Sequence, residues 1–207
     1  MVGRHRRKKE RLNRRNRVVG RHLRKKRKTK FRCFLYEGIK NSIFFGGTLR
    51  NYSIVCLKQN YFDKHKTHFE ILGKPQRPHF VLLLSICHLT FAIPFRTNAH
   101  KPKNNGISHC YFFKTSSRKE KSAKGRIPAL DFSKSLVIED EDIDFQTKID
   151  NNEFKEIQDN RQLIEEKFKK YLHYFITSIQ TKQNLERPAI KYSTLHYFTA
   201  ELSTIPL

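Results

Sequence analysis

Long apolar runs are missing from this sequence of 207 residues. A membrane-spanning helix needs about 18 or more consecutive apolar residues. The longest candidate, residues 80–95, is interrupted by Ser85, His88, Thr90 and Pro94, so it predicts two strands joined by a turn. The first residues are charged and have no apolar segment behind them. We therefore expect no secretory signal.

Cysteine pairs at short spacing are also missing. The four cysteines stand far apart, at positions 33, 56, 87 and 110. Without a C-x-x-C pair, neither a disulfide framework nor a zinc ribbon is indicated. Cys87-His88 and His109-Cys110 have zinc-ligand chemistry, but neighbouring residues of a strand point to opposite faces. We therefore predict no metal site, no cofactor and a reducing, cytoplasmic setting.

Acidic residues are scarce in the first 32 positions, which hold 17 Lys or Arg and one acid, Glu10. The rest of the chain holds 26 bases and 18 acids. Like charges at this density oppose packing, so residues 1–50 are expected to be a disordered basic extension. Such an extension suits RNA, because each neutralised phosphate releases counterions.

The basic extension also repeats itself. Residues 2–9 return as residues 19–26, with seven of eight positions identical. Repeats of folded units are longer and carry an apolar face, which this repeat lacks. The repetition therefore suggests a property of the coding nucleic acid rather than of a folded unit.

From about Asn51 the pattern becomes that of a globular domain, residues 51–207. Strands are predicted where β-branched and aromatic residues cluster, at 52–57, 79–87, 90–95, 109–113 and 135–138. Apolar residues spaced by three and four predict an amphipathic helix over 60–72. Polar stretches predict loops at 96–108 and 114–125.

Helical patterns dominate the C-terminal third. Asp150 is a good N-cap, with Glu153 at the reciprocal position of a capping box, and the pattern continues to about Gln180. Asp159-Asn160 is a predicted break, and residues 192–202 predict a last short helix. The stripe predicted to face the core comprises Phe154, Ile157, Ile164, Phe168, Tyr171, Phe175 and Ile179. Strands followed by helices predict an α+β domain on a small curved antiparallel sheet or barrel.

Several ordered sequence blocks carry a family resemblance. They are residues 77–84 with 90–98, residues 111–118 (Tyr-Phe-Phe-Lys-Thr-Ser-Ser-Arg), residues 130–138 and residues 192–198. Together they resemble the TenpN kind of bacterial type III toxins, within the ToxN/AbiQ endoribonuclease family. The blocks span roughly residues 51–202, and their order makes the signal more specific than any single block.

The resemblance implies an SH3-like barrel of the MazF/Kid type and metal-independent RNA cleavage. It also implies a bacterial, cytoplasmic phage-defence protein, held by a small structured, repetitive RNA antitoxin in an RNA–protein hetero-oligomer. Type III antitoxin genes are tandem repeats lying just upstream of the toxin gene. Residues 1–50 therefore have two interpretations: an RNA-binding tail, or translation of that repeat region from a start codon placed too early.

Two polar segments that follow matched strands form the predicted site. The predicted catalytic residues are Arg96, Thr97, His100, Lys101, Ser116, Ser117 and Arg118. The predicted RNA-binding residues are Asn98, Lys103, Lys114, Lys119 and Lys134. Arg96 or Arg118 would stabilise the phosphorane, hydroxyl groups would bind the phosphate, and His100 is favoured for proton transfer because histidine titrates near neutrality. Neighbouring strands would let both segments face one phosphate.

Other interpretations stay open. A basic loop with Ser and Thr is also typical of plain solvated surface. The acidic run 139–142 has the ligand type for Mg²⁺ in a two-metal nuclease, although a solvated acidic turn is the simpler prediction. The alternative function is that of a non-catalytic RNA-binding protein, either ribosome-associated or an inactivated toxin.

Overall fold

A computed structural model describes residues 51–71, 80–100 and 107–206. The predicted basic extension, residues 1–50, lies outside the described residues, and so do Lys101 and Lys103. Within the described ranges the chain is α+β, with an antiparallel sheet and several helices. The predicted fold class is confirmed at this level.

Seven strands of the described residues form one sheet. They are β1 (Ile54–Leu57), β2 (Phe80–Ile86), β3 (Leu89–Ala99), β4 (Cys110–Phe112), β5 (Ile127–Asp131), β6 (Leu136–Ile138) and β7 (Ile143–Gln146). The strand order is β4-β5-β3-β2-β1-β7, and β6 also pairs with β3. Among these pairings the sheet is open, with β4 and β7 at its edges. Its closure into a barrel stays a prediction.

The long strand β3 organises the sheet because it pairs along both of its edges. It forms a hairpin with β2 through Cys87-His88, and Cys87 has a positive φ of 55°. On its other edge, its first half pairs with β6 and its second half with β5. Arg96, Thr97 and Asn98 therefore lie in β3, and the loop predicted to begin at residue 96 is wrong there. Strand β3 pairs with β5 on both sides of a register shift between Arg96 and Ala99, and this pairing extends the strand through the polar stretch.

The helices follow the predicted order with different lengths. They are α1 (Gln59–Lys64), α2 (Asn151–Asp159), α3 (Arg161–Thr181), α4 (Pro188–Lys191) and α5 (Thr199–Leu202). Short 3₁₀ helices occur at Ser117–Lys121, Phe132–Lys134, Asp140–Asp142 and Thr194–Phe198. The predicted break between α2 and α3 is confirmed. The helix predicted over residues 60–72 is observed as the shorter α1. The single helix predicted over residues 192–202 is observed as a 3₁₀ helix followed by α5. Of the described helices, none is both long and apolar enough to cross a membrane.

The core forms where α3 packs on the sheet. The Phe168 ring centroid is 5.0 Å from that of Phe91 on β3 and 5.4 Å from that of Phe132. These three side chains are fully buried, as is Tyr171, so the predicted stripe of α3 is confirmed. The prediction that Phe154 faces the core is wrong, because 47% of this residue is exposed. Ile157 of α2 is fully buried, as predicted, and the other buried residues of α2 are Glu153 and Glu156.

Candidate functional site

Segment 114–118 leaves β4 and leads into the 3₁₀ helix Ser117–Lys121. Ser116 caps this 3₁₀ helix, since its Oγ accepts a hydrogen bond from the Arg118 N–H at 3.1 Å. A serine in this position satisfies a backbone donor that the first turn would otherwise leave unpaired. The cap thus fixes where the Ser117 and Arg118 side chains leave the backbone.

The end of β3 contacts this 3₁₀ helix and the two residues that follow it at three points. The Nη1 atom of Arg118 lies 3.4 Å from Oγ1 of Thr97. Ser122 Oγ donates to the Thr97 carbonyl at 3.0 Å, and the Ala123 N–H donates to Asn98 Oδ1 at 3.0 Å. The two polar segments that the sequence singles out therefore lie side by side.

Arg96 takes a different partner. Its Nη1 donates to Asp131 Oδ2 at 2.7 Å, and the Asp131 side chain is 2% exposed whereas that of Arg96 is 47% exposed. The register of the β3–β5 pairing shifts between Arg96 and Ala99, and Thr97 contacts Arg118 rather than Asp131. Arg118 lies on the Thr97 side, with its guanidinium 5.9 Å from the Phe95 ring centroid. The structure therefore does not bring Arg96 and Arg118 together.

A row of carboxylates on α2 and its N-cap residue binds segment 114–118. The row comprises Asp150, Glu153 and Glu156, which recur every three residues and so lie on neighbouring turns of one helix face. Each carboxylate accepts a hydrogen bond from one hydroxyl of the segment. The pairs are Thr115 Oγ1 with Glu156 at 2.7 Å, Ser116 Oγ with Glu153, and Ser117 Oγ with Asp150. The acidic row therefore fixes the segment residue by residue.

Arg118 completes this set of contacts. Its Nε donates to Glu153 Oε1 at 2.7 Å and its Nη2 donates to Oε2 at 2.8 Å. Two-point pairing of this kind is strong and geometrically specific, and it leaves Nη1 directed at Thr97. The Glu153 side chain is 1% exposed. The predicted capping-box role of Glu153 is wrong, because its carboxylate binds Arg118 and Ser116 rather than the backbone N–H at the N-cap.

These contacts limit which predicted catalytic residues can bind a phosphate. The Ser116 and Ser117 hydroxyls donate to carboxylates, and the charge of Arg118 is balanced by Glu153. A phosphate at this place would meet Arg118 Nη1 and the Thr97 hydroxyl. The hydroxyl accepts from Arg118 and keeps its own proton for a further acceptor.

Exposed cations surround the contact between β3 and segment 114–118. Residues 114–126 hold six Lys or Arg and one acid, Glu120. The exposed ones are Lys114, Lys119, Lys121 and Lys124. A surface with such an excess of positive charge attracts polyanions, and this attraction weakens as salt is added.

Two further predicted residues lie outside this contact. His100 is exposed, directly after the last residue of β3. Lys134 lies in the 3₁₀ helix Phe132–Lys134, where its Nζ contacts the Glu70 carboxylate and the Tyr192 carbonyl. Its charge is therefore balanced within the fold by Glu70.

Glu156 is the residue that sequence reasoning missed most clearly. Besides Thr115 Oγ1, it accepts from the backbone N–H groups of Lys114 and Thr115 at 2.9 and 3.0 Å, and from the Tyr111 hydroxyl at 3.1 Å. Burial raises the pKa of Glu156, but these hydrogen bonds lower it by a larger amount. The pKa of Glu156 therefore lies below the usual value. The three-residue spacing from Glu153 was the signal available in the sequence.

Replacing Asp150 by Ala is expected to destabilise the protein by about 1–2 kcal/mol. Its Oδ1 accepts from the Asn152 and Glu153 N–H groups at 3.1 Å, which confirms the predicted N-cap. Burial raises the pKa of Asp150, but hydrogen bonds from Ser117 and from these N–H groups lower it below its usual value of 3.8.

The stabilising effect of Asp150 is therefore full above its usual pKa and is lost as the pH falls through the lowered value. Denaturant unfolding at pH 7 and pH 3 should show a smaller difference between wild type and Asp150→Ala at pH 3. Asn151→Ala is the control. An equal difference at both pH values would contradict the capping account.

The acidic run 139–142 is built into a 3₁₀ helix. Asp142 is buried, and its Oδ2 accepts from the Glu139 N–H at 3.0 Å. Across the part of the chain that the structure describes, no three His, Cys, Asp or Glu side chains are grouped to hold a metal ion.

Comparison of the chain with family models, curated proteins and solved structures finds no match. The resemblance to the ToxN/AbiQ family therefore rests on the sequence blocks alone. The family assignment stays a prediction, and the geometry above is independent of it.

Proposed function

We propose that this protein is an endoribonuclease toxin of a type III toxin–antitoxin system, of the TenpN kind. The observation that best supports the proposal is the contact between the end of β3 and segment 114–118. There the Thr97 hydroxyl and Arg118 Nη1 lie 3.4 Å apart within a surface rich in Lys and Arg. Directed donors of this kind suit a phosphate that gains negative charge during reaction.

In the proposed reaction the ribose 2′-hydroxyl attacks the adjacent phosphorus, and the bond from phosphorus to the 5′ oxygen breaks. A base takes the proton of the 2′-hydroxyl and an acid gives a proton to the 5′ oxygen. The products are a 2′,3′-cyclic phosphate and a 5′-hydroxyl end. Arg118 and Thr97 would bind the non-bridging oxygens, and His100 is the proposed proton-transfer residue.

The proposal extends to partners, location and the finer fold. A small structured, repetitive RNA antitoxin would occupy the basic surface of residues 114–126 in an RNA–protein hetero-oligomer in the bacterial cytoplasm. Phosphate contacts would position that RNA and unpaired bases would be read by stacking. The sheet around the long strand β3 would be a relative of the MazF/Kid barrel.

A second candidate is a non-catalytic RNA-binding protein. The observation that favours it is the engagement of Ser116, Ser117 and Arg118 by the carboxylates of α2. This arrangement leaves few donors for a reacting phosphate, whereas the exposed lysines would still bind RNA.

Thr97→Val is the most direct test, because it removes the hydroxyl and keeps the shape of the side chain. We expect cleavage of cellular RNA in EDTA to slow about 100-fold, with affinity for the antitoxin RNA nearly unchanged. Cleavage is followed by gel electrophoresis and by detection of cyclic phosphate ends. Thr199→Val, at an exposed position of α5, is the control.

One outcome separates the two candidates, and a second tests the role of Thr97 alone. A wild-type protein that binds RNA tightly and cleaves none supports the non-catalytic binder. Cleavage that proceeds at the wild-type rate in Thr97→Val would remove Thr97 from the reaction.

A further inference from the structure

A cleft of about 430 Å³ lies between the end of β4 and α2. One wall is formed by Tyr111, Lys114 and Thr115, and the other by Asn152, Lys155, Glu156, Asp159 and Asn160. Its volume is within the range of small-molecule sites in proteins. Among the lining residues, Lys114 alone was predicted from the sequence to bind RNA.

The cleft lining carries two lysines, Lys114 and Lys155, and two acidic residues, Glu156 and Asp159. The carboxylate of Glu156 is held within the fold by donors from Tyr111, Lys114 and Thr115. Lys114 and Lys155 are exposed, and Lys167 Nζ lies 5.4 Å from the Tyr111 ring centroid. With Lys167 the lysines outnumber the carboxylates by one, and this small positive excess favours an anionic group beside them.

The walls also offer groups that can read a base. Asn152 is exposed, and Asn160 uses its Nδ2 on the Glu156 carbonyl at 2.8 Å, which leaves its Oδ1 as an acceptor. Amides present both donors and acceptors, as do the edges of unpaired bases. Asp159 adds an acceptor for the amino and imino groups of a base.

The cleft adjoins the candidate site through the acidic row. Arg118 binds Glu153, and Thr115 binds Glu156. These two carboxylates are three residues apart, about 4.5 Å along the axis of α2. An RNA strand whose phosphate lies at Thr97 and Arg118 would bring the neighbouring nucleotide to the cleft.

We propose that the cleft binds one nucleotide of single-stranded RNA, next to the phosphate at Thr97 and Arg118. Lys114 and Lys155 contact its phosphate, and Asn152 and Asp159 contact its base. This assignment rests on the proposed function and names a substrate subsite for it.

Lys155→Ala tests the subsite. The probe is a fluorescent single-stranded oligoribonucleotide with 2′-O-methyl groups, which binds but cannot be cleaved, and affinity is measured at several salt concentrations. We expect about fivefold weaker binding at low salt and a slope of log K against log salt that is smaller by about 0.7, the value for one lost contact to a single strand. Lys170→Ala removes the same charge from an exposed position of α3 and should change the affinity less than twofold.

A crosslinking experiment locates the nucleotide. An oligoribonucleotide carrying 4-thiouridine is irradiated on the wild-type protein, and the modified peptides are identified by mass spectrometry. Adducts within 111–115 or 152–160 support the subsite, and adducts found only elsewhere overturn it.

Failure of the subsite and failure of the proposed function give different results. Wild-type cleavage with equal affinities for Lys155→Ala and Lys170→Ala overturns the subsite alone. A protein that cleaves no RNA, yet binds the oligonucleotide more weakly after Lys155→Ala, loses the nuclease proposal and keeps the nucleotide site.

Discussion

Replacing Glu156 by Ala is expected to destabilise the folded protein by about 2–3 kcal/mol. Two backbone N–H groups and two hydroxyl groups would lose their acceptor together. The Tyr111 hydroxyl is buried, and such an unsatisfied donor costs about 1–3 kcal/mol. The donors of Lys114 and Thr115 add less, because these residues are exposed and water can reach them. Denaturant unfolding followed by circular dichroism measures the loss. Because these donors belong to Tyr111, Lys114 and Thr115, the path of segment 114–118 should change as well.

The pH dependence of this effect has a defined sign. The pKa of Glu156 lies below its usual value of 4.5, because hydrogen bonds to its carboxylate outweigh the burial that raises it. Its stabilising effect is present above the usual value and is lost as the pH falls through the lowered one. The gap between wild type and Glu156→Ala should therefore be narrower at pH 3 than at pH 7.

Glu166→Ala is the matched control for Glu156→Ala. Glu166 is an exposed carboxylate on α3, and it accepts from Gln162 Nε2 at 3.1 Å. Its removal should change the free energy of unfolding by less than about 0.5 kcal/mol. Equal stability of the two variants would show that the contacts of Glu156 contribute little.

Strongly patterned elements could be predicted from the sequence, and weakly patterned ones could not. The hairpin of β2 and β3 follows from its run of β-branched and aromatic residues, and the break before α3 follows from Asp159-Asn160. Strand β5 contains Pro128 and Asp131, and β7 is four residues long and largely exposed. Such segments form strands because β3 and β1 pair with them, which local composition does not reveal.

The candidate site was predictable as a pair of segments and not as a set of contacts. Thr97 contacts Arg118, so the two segments do meet. The expected reason is wrong, because the strands before them, β3 and β4, are not neighbours and β5 lies between them. The face that α2 presents was misjudged by one residue, since Glu153 is buried where Phe154 was expected. Apolar periodicity favours the burial of Phe154. Glu153 is buried instead because Arg118 and Ser116 bind its carboxylate, and these tertiary contacts are not visible in the local sequence.

The pairing of Arg118 with Glu153 leads to the second large effect. Arg118→Met would leave the buried Glu153 carboxylate without its counter-ion, and we expect a loss of about 3–5 kcal/mol. The double variant Arg118→Met, Glu153→Leu should recover much of this stability, because apolar residues often replace a buried ion pair at little cost. Unfolding of wild type, both single variants and the double variant gives the coupling energy between the two positions. A double variant no more stable than Arg118→Met would contradict this account.

The same four proteins distinguish a structural role of Arg118 from a catalytic one. The double variant lacks the guanidinium beside Thr97, so RNA cleavage should stay at least about 100-fold below wild type even where stability returns. Lys191→Met with Glu186→Gln, at an exposed pair 2.7 Å apart, is the control and should leave cleavage unchanged. If the stable double variant cleaved RNA at the wild-type rate, Arg118 would have a structural role alone, and the reaction would have to depend on other cations of the basic surface of residues 114–126.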